Sequence, residues 1–186
     1  LREKGTITFP EKQLKYALKT TWGTADKKVH FTSEACVKAG FPASPGWLEP
    51  KVMPGEGQFR LVGGKQAIHT HTQTANIEPL MAITKMYGLE RIWMNADVAA
   101  SMGIEDGDEV ELSSETHTGR TRVKVTQRIE PTSIYLPSHY GCSVPEQRTA
   151  YNVGLRQMDF VPFHIEPGYG GTMSQETLVT VKKVGA

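Results

Sequence analysis

Residues 92–141, IWMNADVAASMGIEDGDEVELSSETHTGRTRVKVTQRIEPTSIYLPSHYG, decide the fold of this chain. The apolar letters IWM predict a short strand, because a run of this length between polar residues is typical of one. Asn95 is a suitable N-cap for a helix through ADVAASM, and Gly103 is placed to end that helix in the left-handed conformation. The stretch therefore begins with a strand followed directly by a small helix.

The second half of the stretch predicts a hairpin and a further strand. Val110 and Leu112 alternate with polar residues after the turn pair Asp-Gly, and Val123 and Val125 alternate after THTG. Ile-Glu-Asp-Gly-Asp is explained by turn chemistry alone. SIYLP and the C-terminal TLVTVKKV predict two more strands. Many short strands with a few small helices indicate a mainly β chain folded as a barrel with small helical inserts, and no internal repeat of 20–50 residues is visible.

Upstream of this stretch, QFRLV predicts a strand, GG a turn and KQAIHT a second extended segment. In an extended segment alternate residues share a face, so His69 and His71 would point the same way. Pro79 suits the first turn of a helix through LMAITKMYG. The apolar residues Leu80, Ile83 and Met86 or Tyr87 recur at helical spacing there.

Residues 1–57 are predicted to be an N-terminal arm and a connector rich in proline and glycine, and residues 58–186 to form the barrel domain. Within the arm, Val29 and Phe31 alternate and predict a short strand. Ser33 is a candidate N-cap for a short helix that Gly40 ends. The chain opens with Leu1 instead of Met, and we expect a piece of a longer protein.

Composition excludes some classes of function. The formal net charge is +1 and basic residues are scattered, which gives no support to nucleic-acid binding. No apolar stretch approaches the roughly 20 residues that span a bilayer, and we expect neither membrane insertion nor a signal peptide in this chain. Cys36 and Cys142 are far apart and lack zinc-type spacing, so a buried thiol on a helix is favoured for Cys36 over a disulfide.

The stretch 92–141 resembles the C-terminal domain of molybdopterin-dinucleotide oxidoreductases, the dimethyl sulfoxide reductase family. LVGGKQAIHTHTQT is similar to the loop with which this family contacts its dinucleotide, although Lys65 stands where the family has arginine. YNVGLRQMDFVP is similar to a segment in which an asparagine contacts the cofactor. The likeness covers about residues 58–183, and the arm is similar to the run-in of thiosulfate, polysulfide and arsenate reductase large subunits.

The resemblance implies a double-psi β-barrel of the aspartate-decarboxylase-like kind that caps a bis(molybdopterin guanine dinucleotide) carrying molybdenum or tungsten. It implies no catalytic residue and no metal ligand in this chain, and it places the 4Fe-4S cluster in domains upstream. Gln175 is the nearest polar candidate for a lysine that the family has near its last strand. The residues carried over as cofactor-binding are Gly63, Gly64, Lys65, His69, Thr70, His71, Thr72, Ser138, His139, Asn152 and Gln175.

The physical chemistry of these residues suits such a ligand. Glycines let backbone N–H groups approach oxyanions, and hydroxyl, imidazole and ammonium groups donate to phosphate or to heterocycle acceptors. Other interpretations stay open at this point. The HTHT run could be a polar strand edge, or a zinc or copper site that lacks its further ligands, as in a small metallohydrolase. Asn152 could be a turn residue, and the whole domain could be a stand-alone interaction module without cofactor.

The resemblance also implies an activity and partners. Thiosulfate or polysulfide reduction in anaerobic respiration is the favoured activity of the complete enzyme. The expected partners are the remaining domains of the same large subunit, an iron-sulfur electron-transfer subunit and a membrane-anchor subunit. The expected location is the periplasm, with the cytoplasm as the alternative.

Overall fold

The computed structural model describes residues 2–6, 22–44, 46–47, 49–71, 73–166, 170–172 and 174–185. Its internal contacts divide the chain into two compact units, residues 1–47 and residues 48–186. The domain boundary after residue 57 stays a prediction.

The first unit contains the helix α1, Glu34–Lys38. The Ser33 side chain accepts a hydrogen bond from the Cys36 N–H at 3.3 Å, and Gly40 follows with φ of +85°, so both predicted helix ends are confirmed. Cys36 is buried, as predicted. The strand predicted around Val29 and Phe31 is wrong: residues 29–33 are irregular and both side chains are exposed, because two alternating apolar residues without a paired strand bury nothing.

The described part of the second unit contains a closed barrel of six strands. Their order around the barrel is β1-β5-β2-β4-β3-β6. The strands are β1 Gln58–Gly64, β2 Ile92–Asn95, β3 Glu109–Ser113, β4 Thr118–Thr126, β5 Ser133–Pro137 and β6 Leu178–Lys183.

The strand order has an internal twofold relation. The pairs β1–β5 and β2–β4 are parallel, and the other pairs are antiparallel. Exchanging β1 with β4, β2 with β5 and β3 with β6 leaves every pair of neighbouring strands unchanged. The parallel or antiparallel sense of each pair is also unchanged. Two interlocked three-strand motifs with this relation are a double-psi β-barrel, so the predicted fold class is confirmed.

The barrel interior is filled by alternate side chains of the strands, as the period of two requires. Phe160 joins them from the position directly after a turn of 3-10 helix, Gln157–Asp159, on the chain segment between β5 and β6. The fully buried members include Leu61, Ile92, Met94, Val110, Leu112, Val123, Ile134, Leu136, Phe160 and Val179. The hairpin, the strand at SIYLP and the C-terminal strand that the sequence predicts are all present.

Two helices accompany the described barrel strands. They are α2, Glu78–Tyr87, with Pro79 in its first turn, and α3, Ala96–Ser101. Asn95 caps α3 and Gly103 adopts φ of +65°, so the predicted ends of α3 are confirmed. None of the helices in the described ranges has the length and apolar character that a membrane span requires.

The buried face of α2 differs from the predicted one. Met81 and Thr84 are buried, whereas Met86 is 75 % exposed and Tyr87 60 % exposed. Met81 packs with Ala75, Tyr140 and Ala150, and the Thr84 hydroxyl bonds to the buried His69, so this side of the helix faces inward. Periodicity alone could not reveal a polar residue on the buried face.

Candidate functional site

The two glycines after QFRLV extend β1 instead of forming the predicted turn. Gly63 and Gly64 pair in register with Leu136 and Pro137 of β5. A Cβ at Gly63 would lie 1.6 Å from Nε2 of Gln157, so a side chain there meets the buried Gln157 amide. Gly63, which the resemblance assigns to close contact with oxyanions, is therefore also needed for packing against Gln157.

Gly64 fixes the start of the following segment through its carbonyl oxygen. This oxygen accepts hydrogen bonds from the Tyr135 hydroxyl at 2.9 Å, from the Ser138 N–H at 3.0 Å and from Ser138 Oγ at 2.9 Å. Ser138, predicted as a cofactor contact, therefore has its hydroxyl proton directed to the end of β1. Gln175 also reaches this strand, with Nε2 3.5 Å from the Gly63 carbonyl oxygen.

The segment after β1, which we call the histidine loop (residues 65–71), is a series of turns and not an extended strand. His71 has a left-handed backbone with φ of +53°. His69 is only 4 % exposed, while His71 is exposed, so the two rings do not share a face as the sequence pattern predicts. The reason is that the loop folds over α2 and over the segment after β5, which offer buried hydrogen-bond partners to His69.

Both ring nitrogens of His69 have partners inside the protein. Nε2 lies 2.8 Å from Thr84 Oγ1, and Nδ1 lies 3.2 Å from Thr74 Oγ1. Burial lowers the pKa of His69, so the neutral ring is favoured. His69 therefore supports the histidine loop from its buried side.

His139 supports the same loop from the other side. Its Nε2 accepts a hydrogen bond from the Gln66 N–H at 2.9 Å, and it also bonds to the backbone of His71. His139 is 3 % exposed, and burial is the main reason that its pKa is lowered. A single buried ring therefore links both ends of the histidine loop.

Tyr140 completes the buried polar group beneath the loop. Its hydroxyl donates to Gln66 Oε1 at 3.3 Å and lies 3.4 Å from Thr84 Oγ1. The Gln66 amide in turn donates to the Leu89 carbonyl oxygen at 2.7 Å. Buried polar groups that are paired in this way make a loop rigid, because opening it would leave them unpaired.

The exposed surface of the loop presents donors. Lys65 Nζ donates to His71 Nε2 at 3.3 Å, and both side chains are exposed. Thr70 is exposed, and its N–H donates to Thr74 Oγ1 at 2.9 Å. Thr72 lies outside the described residues. The predicted donors Lys65, Thr70 and His71 are thus brought together, on a loop that His69 and His139 support.

A cleft of about 650 Å³ opens beside this surface, lined by Lys65, Gln66, Ala67, Ile68, Leu89, Trp93 and Tyr135. Sequence analysis assigned only Lys65 of these to the site. Trp93 and Tyr135 lie on strand positions that alternate with the buried core, and that outward alternation is the signal that could have identified them.

Asn152 lies at a second, more polar cleft of about 320 Å³. It has φ of +53°, and its N–H donates to the Cys142 carbonyl oxygen at 2.9 Å, so it is a turn residue whatever else it does. Arg91, Arg120 and Arg122 line the same cleft. Leu89 borders the first cleft and Glu90 the second, so adjacent residues of one segment line the two clefts.

Three buried polar atoms of the described residues lack a hydrogen-bond partner, and all three lie on the segment between the clefts. They are Glu90 Oε2, Arg91 Nε and Trp93 Nε1. Buried polar groups are normally paired, so three unpaired atoms within four residues are unusual. Arg91 Nε lies 3.9 Å from Glu90 Oε1, too far for a hydrogen bond.

The described residues contain no group of three or more histidine, cysteine, aspartate or glutamate side chains placed to bind a metal ion. Cys36 and Cys142 are free thiols, so the disulfide that sequence analysis disfavoured is not formed.

The chain is similar to known proteins over most of its length. The family model described as "Molydopterin dinucleotide binding domain" matches residues 59–173, which include β1 from Phe59 onward, β2 to β5 and the histidine loop. The thiosulfate reductase molybdopterin-containing subunit PhsA of Salmonella typhimurium is 24 % identical over 143 residues, 75 % of this chain and 18 % of that protein.

The solved structure of acetylene hydratase from Pelobacter acetylenicus superposes with a TM-score of 0.69 at 14 % identity. It covers 90 % of this chain and 25 % of its own, and at this identity it shows the fold alone. The chain thus spans less than a fifth of the length of the thiosulfate reductase subunit and a quarter of the acetylene hydratase chain.

Proposed function

The chain belongs to the molybdopterin dinucleotide binding domain family, and we propose that it caps a bis(molybdopterin guanine dinucleotide) as one domain of a larger oxidoreductase subunit. The observation that carries this proposal is the exposed pair Lys65 and His71, 3.3 Å apart on a supported loop and beside the large cleft. When bound, the cofactor supplies a redox-active molybdenum or tungsten atom.

The residues present fit such a ligand. A dinucleotide of this kind combines phosphate anions with planar rings that carry both donors and acceptors. Lys65 and His71 offer donors to phosphate, and a lysine does so as a point charge without the two-pronged geometry of arginine. In the wall of the cleft, the flat rings of Trp93 and Tyr135 offer apolar surface to the planar rings of the ligand. The site therefore has partners for both parts of the ligand.

The remaining predicted residues divide into two roles. Lys65, Thr70, His71 and Asn152 are exposed and bind the ligand directly in this proposal. His69, Ser138 and His139 have polar atoms bonded within the protein, and we assign them to positioning the loop. Direct ligand contact by those three, by Thr72 and by Gln175 stays a prediction from the resemblance.

The proposal is tested by measuring molybdenum (or tungsten) and acid-released GMP in the purified subunit. Lys65→Ala/His71→Ala removes both exposed donors and leaves the buried support intact. Lys182→Ala/His164→Ala is the matched control, since it removes one exposed lysine and one exposed histidine outside the loop. We expect loss of metal and GMP in the first variant and wild-type content in the second. Equal, full occupancy in both would overturn the assignment of the loop.

Thiosulfate or polysulfide reduction is the activity we propose for the complete enzyme. Its support is the likeness to a thiosulfate reductase subunit, together with the arm sequence. The proposed partners are an iron-sulfur subunit and a membrane-anchor subunit, with a location in the periplasm. Electron donation from a reduced dye to thiosulfate, polysulfide and arsenate tests the substrate, and turnover of arsenate alone would contradict the proposal.

The alternative is an interaction module that has lost the cofactor. The exposed apolar residues Met86 and Tyr87 on α2 favour a protein contact there. Metal and GMP content decides between the two, because the interaction module would contain neither.

A further inference from the structure

Helix α2 carries an apolar stripe on an exposed side. Leu80, Ile83 and Met86 are three residues apart, which places them on one face of the helix. Tyr87, four residues after Ile83, joins the same face. Leu80 is half-buried and the other three are exposed. Single exposed apolar residues are common on protein surfaces, but a continuous stripe of this kind is typical of a surface that another protein segment covers.

The charged residues of α2 lie on a different side of the helix. By helical periodicity Glu78 and Lys85 are opposite to the stripe, and both are exposed. Met81 and Thr84 form the third, buried side, where Thr84 Oγ1 lies 2.8 Å from His69 Nε2. A surface helix needs only one buried side and one solvated side, so the apolar stripe is not required by the packing of α2 on the barrel.

The stripe is held in place at both ends of α2. Before the helix, Asn76 Oδ1 accepts hydrogen bonds from the N–H groups of Thr149 at 3.0 Å and Ala150 at 3.3 Å. At its end, the Tyr87 carbonyl oxygen accepts from Lys124 Nζ at 2.6 Å. These bonds tie α2 to the segment after β5 and to strand β4. A partner that docks on the stripe therefore meets a surface that already has its shape.

The length of the related proteins indicates what covers the stripe. The chain spans 18 % of the thiosulfate reductase subunit and 25 % of the acetylene hydratase chain, so most of a subunit of either size lies outside it. Thr84, next to Ile83, supports the histidine loop, so the stripe adjoins the side that faces the dinucleotide in the proposed function. Other domains that hold the same dinucleotide would approach this side, and domains of one chain contact each other through partly apolar surfaces.

We propose that the stripe of α2 is the surface on which another domain of the same subunit docks, with an uncharged apolar surface of its own. This inference rests on the proposed function, in which the chain is one domain of a larger subunit, and it names the contact between them. Because the neighbouring side of α2 bonds to His69, the docked domain holds the helix that supports the histidine loop. A charge placed in the stripe would be buried without a partner and would oppose docking.

Hydroxyl-radical footprinting read by mass spectrometry tests the docking. The full-length subunit, produced without accessory subunits, is compared with this whole chain produced alone. Met86 and Tyr87 are the reporters, and Met158, which is 59 % exposed on a different segment, is the matched methionine. We expect Met86 and Tyr87 to be oxidised several-fold more slowly in the subunit than in the chain alone, and Met158 equally fast in both.

Ile83→Glu extends the test within the full-length subunit. The glutamate places a charge in the stripe, so we expect Met86 to recover the oxidation rate that it has in the chain alone. Lys85→Glu is the matched control, since it introduces the same side chain on the opposite side of the same helix, and Met86 should stay protected. Circular dichroism checks the folding of both variants, and the comparison of the wild-type proteins decides even if Ile83→Glu does not fold.

Three results would overturn the inference. Equal oxidation of Met86 and Tyr87 in the subunit and in the chain alone would show that no other domain covers the stripe. Protection that arises only when accessory subunits are added would assign the stripe to another chain. Protection in the chain alone that is lost on dilution would assign it to a second copy of this chain.

The outcome is separable from that of the proposed function. If Met86 is equally reactive in both proteins, while Lys65→Ala/His71→Ala loses metal and GMP, the docking assignment fails and cofactor binding stands. If Met86 is protected while that variant keeps its metal and GMP, the docking stands and the assignment of the histidine loop fails.

Discussion

His139 shows how one buried residue can determine the shape of an exposed site. Its ring accepts a hydrogen bond from the Gln66 N–H and bonds to the backbone of His71, so the loop between them is fixed at both ends. Protonation of Nε2 would replace this acceptor by a donor and break the bond. The exposed donors of the loop therefore depend on a histidine that stays neutral.

This dependence predicts the direction in which stability changes with pH. Burial lowers the pKa of His69 and of His139 below the ordinary 6.5. As the pH falls below 6.5, these two histidines therefore take up protons in the unfolded chain before they do so in the folded chain. Their contribution to the free energy of unfolding is complete above that pH and is lost as the pH falls through the lowered pKa values. Each histidine contributes at most about 1.4 kcal/mol per pH unit.

Urea unfolding at pH 7.5 and at pH 5.5 measures this effect. His139→Gln keeps an acceptor for the Gln66 N–H and removes the titrating group, so we expect a smaller loss of stability at pH 5.5 than in the wild type. His164→Gln, an exposed position, is the control and should keep the wild-type difference. A His139→Gln protein with the full wild-type loss would contradict the role given to this ring.

Gly141 is a second residue whose replacement should be costly. It has φ of +80°, and a Cβ there would lie 2.2 Å from the backbone nitrogen of Arg156. Gly103 has φ of +65° but open space around it. We expect Gly141→Ala to lower the free energy of unfolding by about 3 kcal/mol, because backbone strain and overlap with the Arg156 backbone both contribute. Gly103→Ala should lower it by about 1 kcal/mol, because only the strain contributes there. Equal losses in chemical denaturation would contradict this reading of Gly141.

At the scale of elements, Asn95 joins a strand to a helix. Its Oδ1 accepts from the N–H groups of Asp97 and Val98, and its Nδ2 donates to the Ile129 carbonyl oxygen at 2.9 Å. Asn95→Ala should lose about 2 kcal/mol of folding free energy, and Asn95→Ser should recover roughly half, because serine restores the cap but not the bond to Ile129. Thermal unfolding of the two variants measures this, and identical melting temperatures would contradict it.

Elements with a local cause could be predicted from the sequence, and those shaped by distant partners could not. The cap at Asn95, the left-handed Gly103 and the hairpin strands depend on neighbouring residues. The histidine loop was predicted as extended, because nothing in its own sequence shows that Thr84 and Tyr140 lie beneath it. Lys65 and His71 lie together on the exposed surface of the loop, and their role as cofactor-binding donors stays a prediction. The burial of His69 follows from contacts far along the chain.

At the scale of the molecule, the twofold relation of the barrel is a property of strand order and not of sequence. The two halves share no visible repeat, so only the pairing of strands reveals it. The same interlocking brings the histidine loop after β1 next to His139 after β5, because β1 and β5 are parallel neighbours. The candidate site is therefore a consequence of topology.

The barrel should fold without the first unit. Its core residues all lie between Phe59 and Val181, within residues 48–186. We expect a chain of residues 48–186 to unfold at the same urea concentration as the full chain, because every member of the barrel core lies within these residues. A markedly lower midpoint for the shortened chain would show that the barrel depends on residues 1–47.

The most direct test of the central claim is a crystal structure of the subunit purified with its cofactor. The account predicts that Lys65 Nζ and a ring nitrogen of His71 lie about 3 Å from oxygens of the dinucleotide. A dinucleotide bound entirely by other parts of the subunit, with the histidine loop facing solvent, would contradict it.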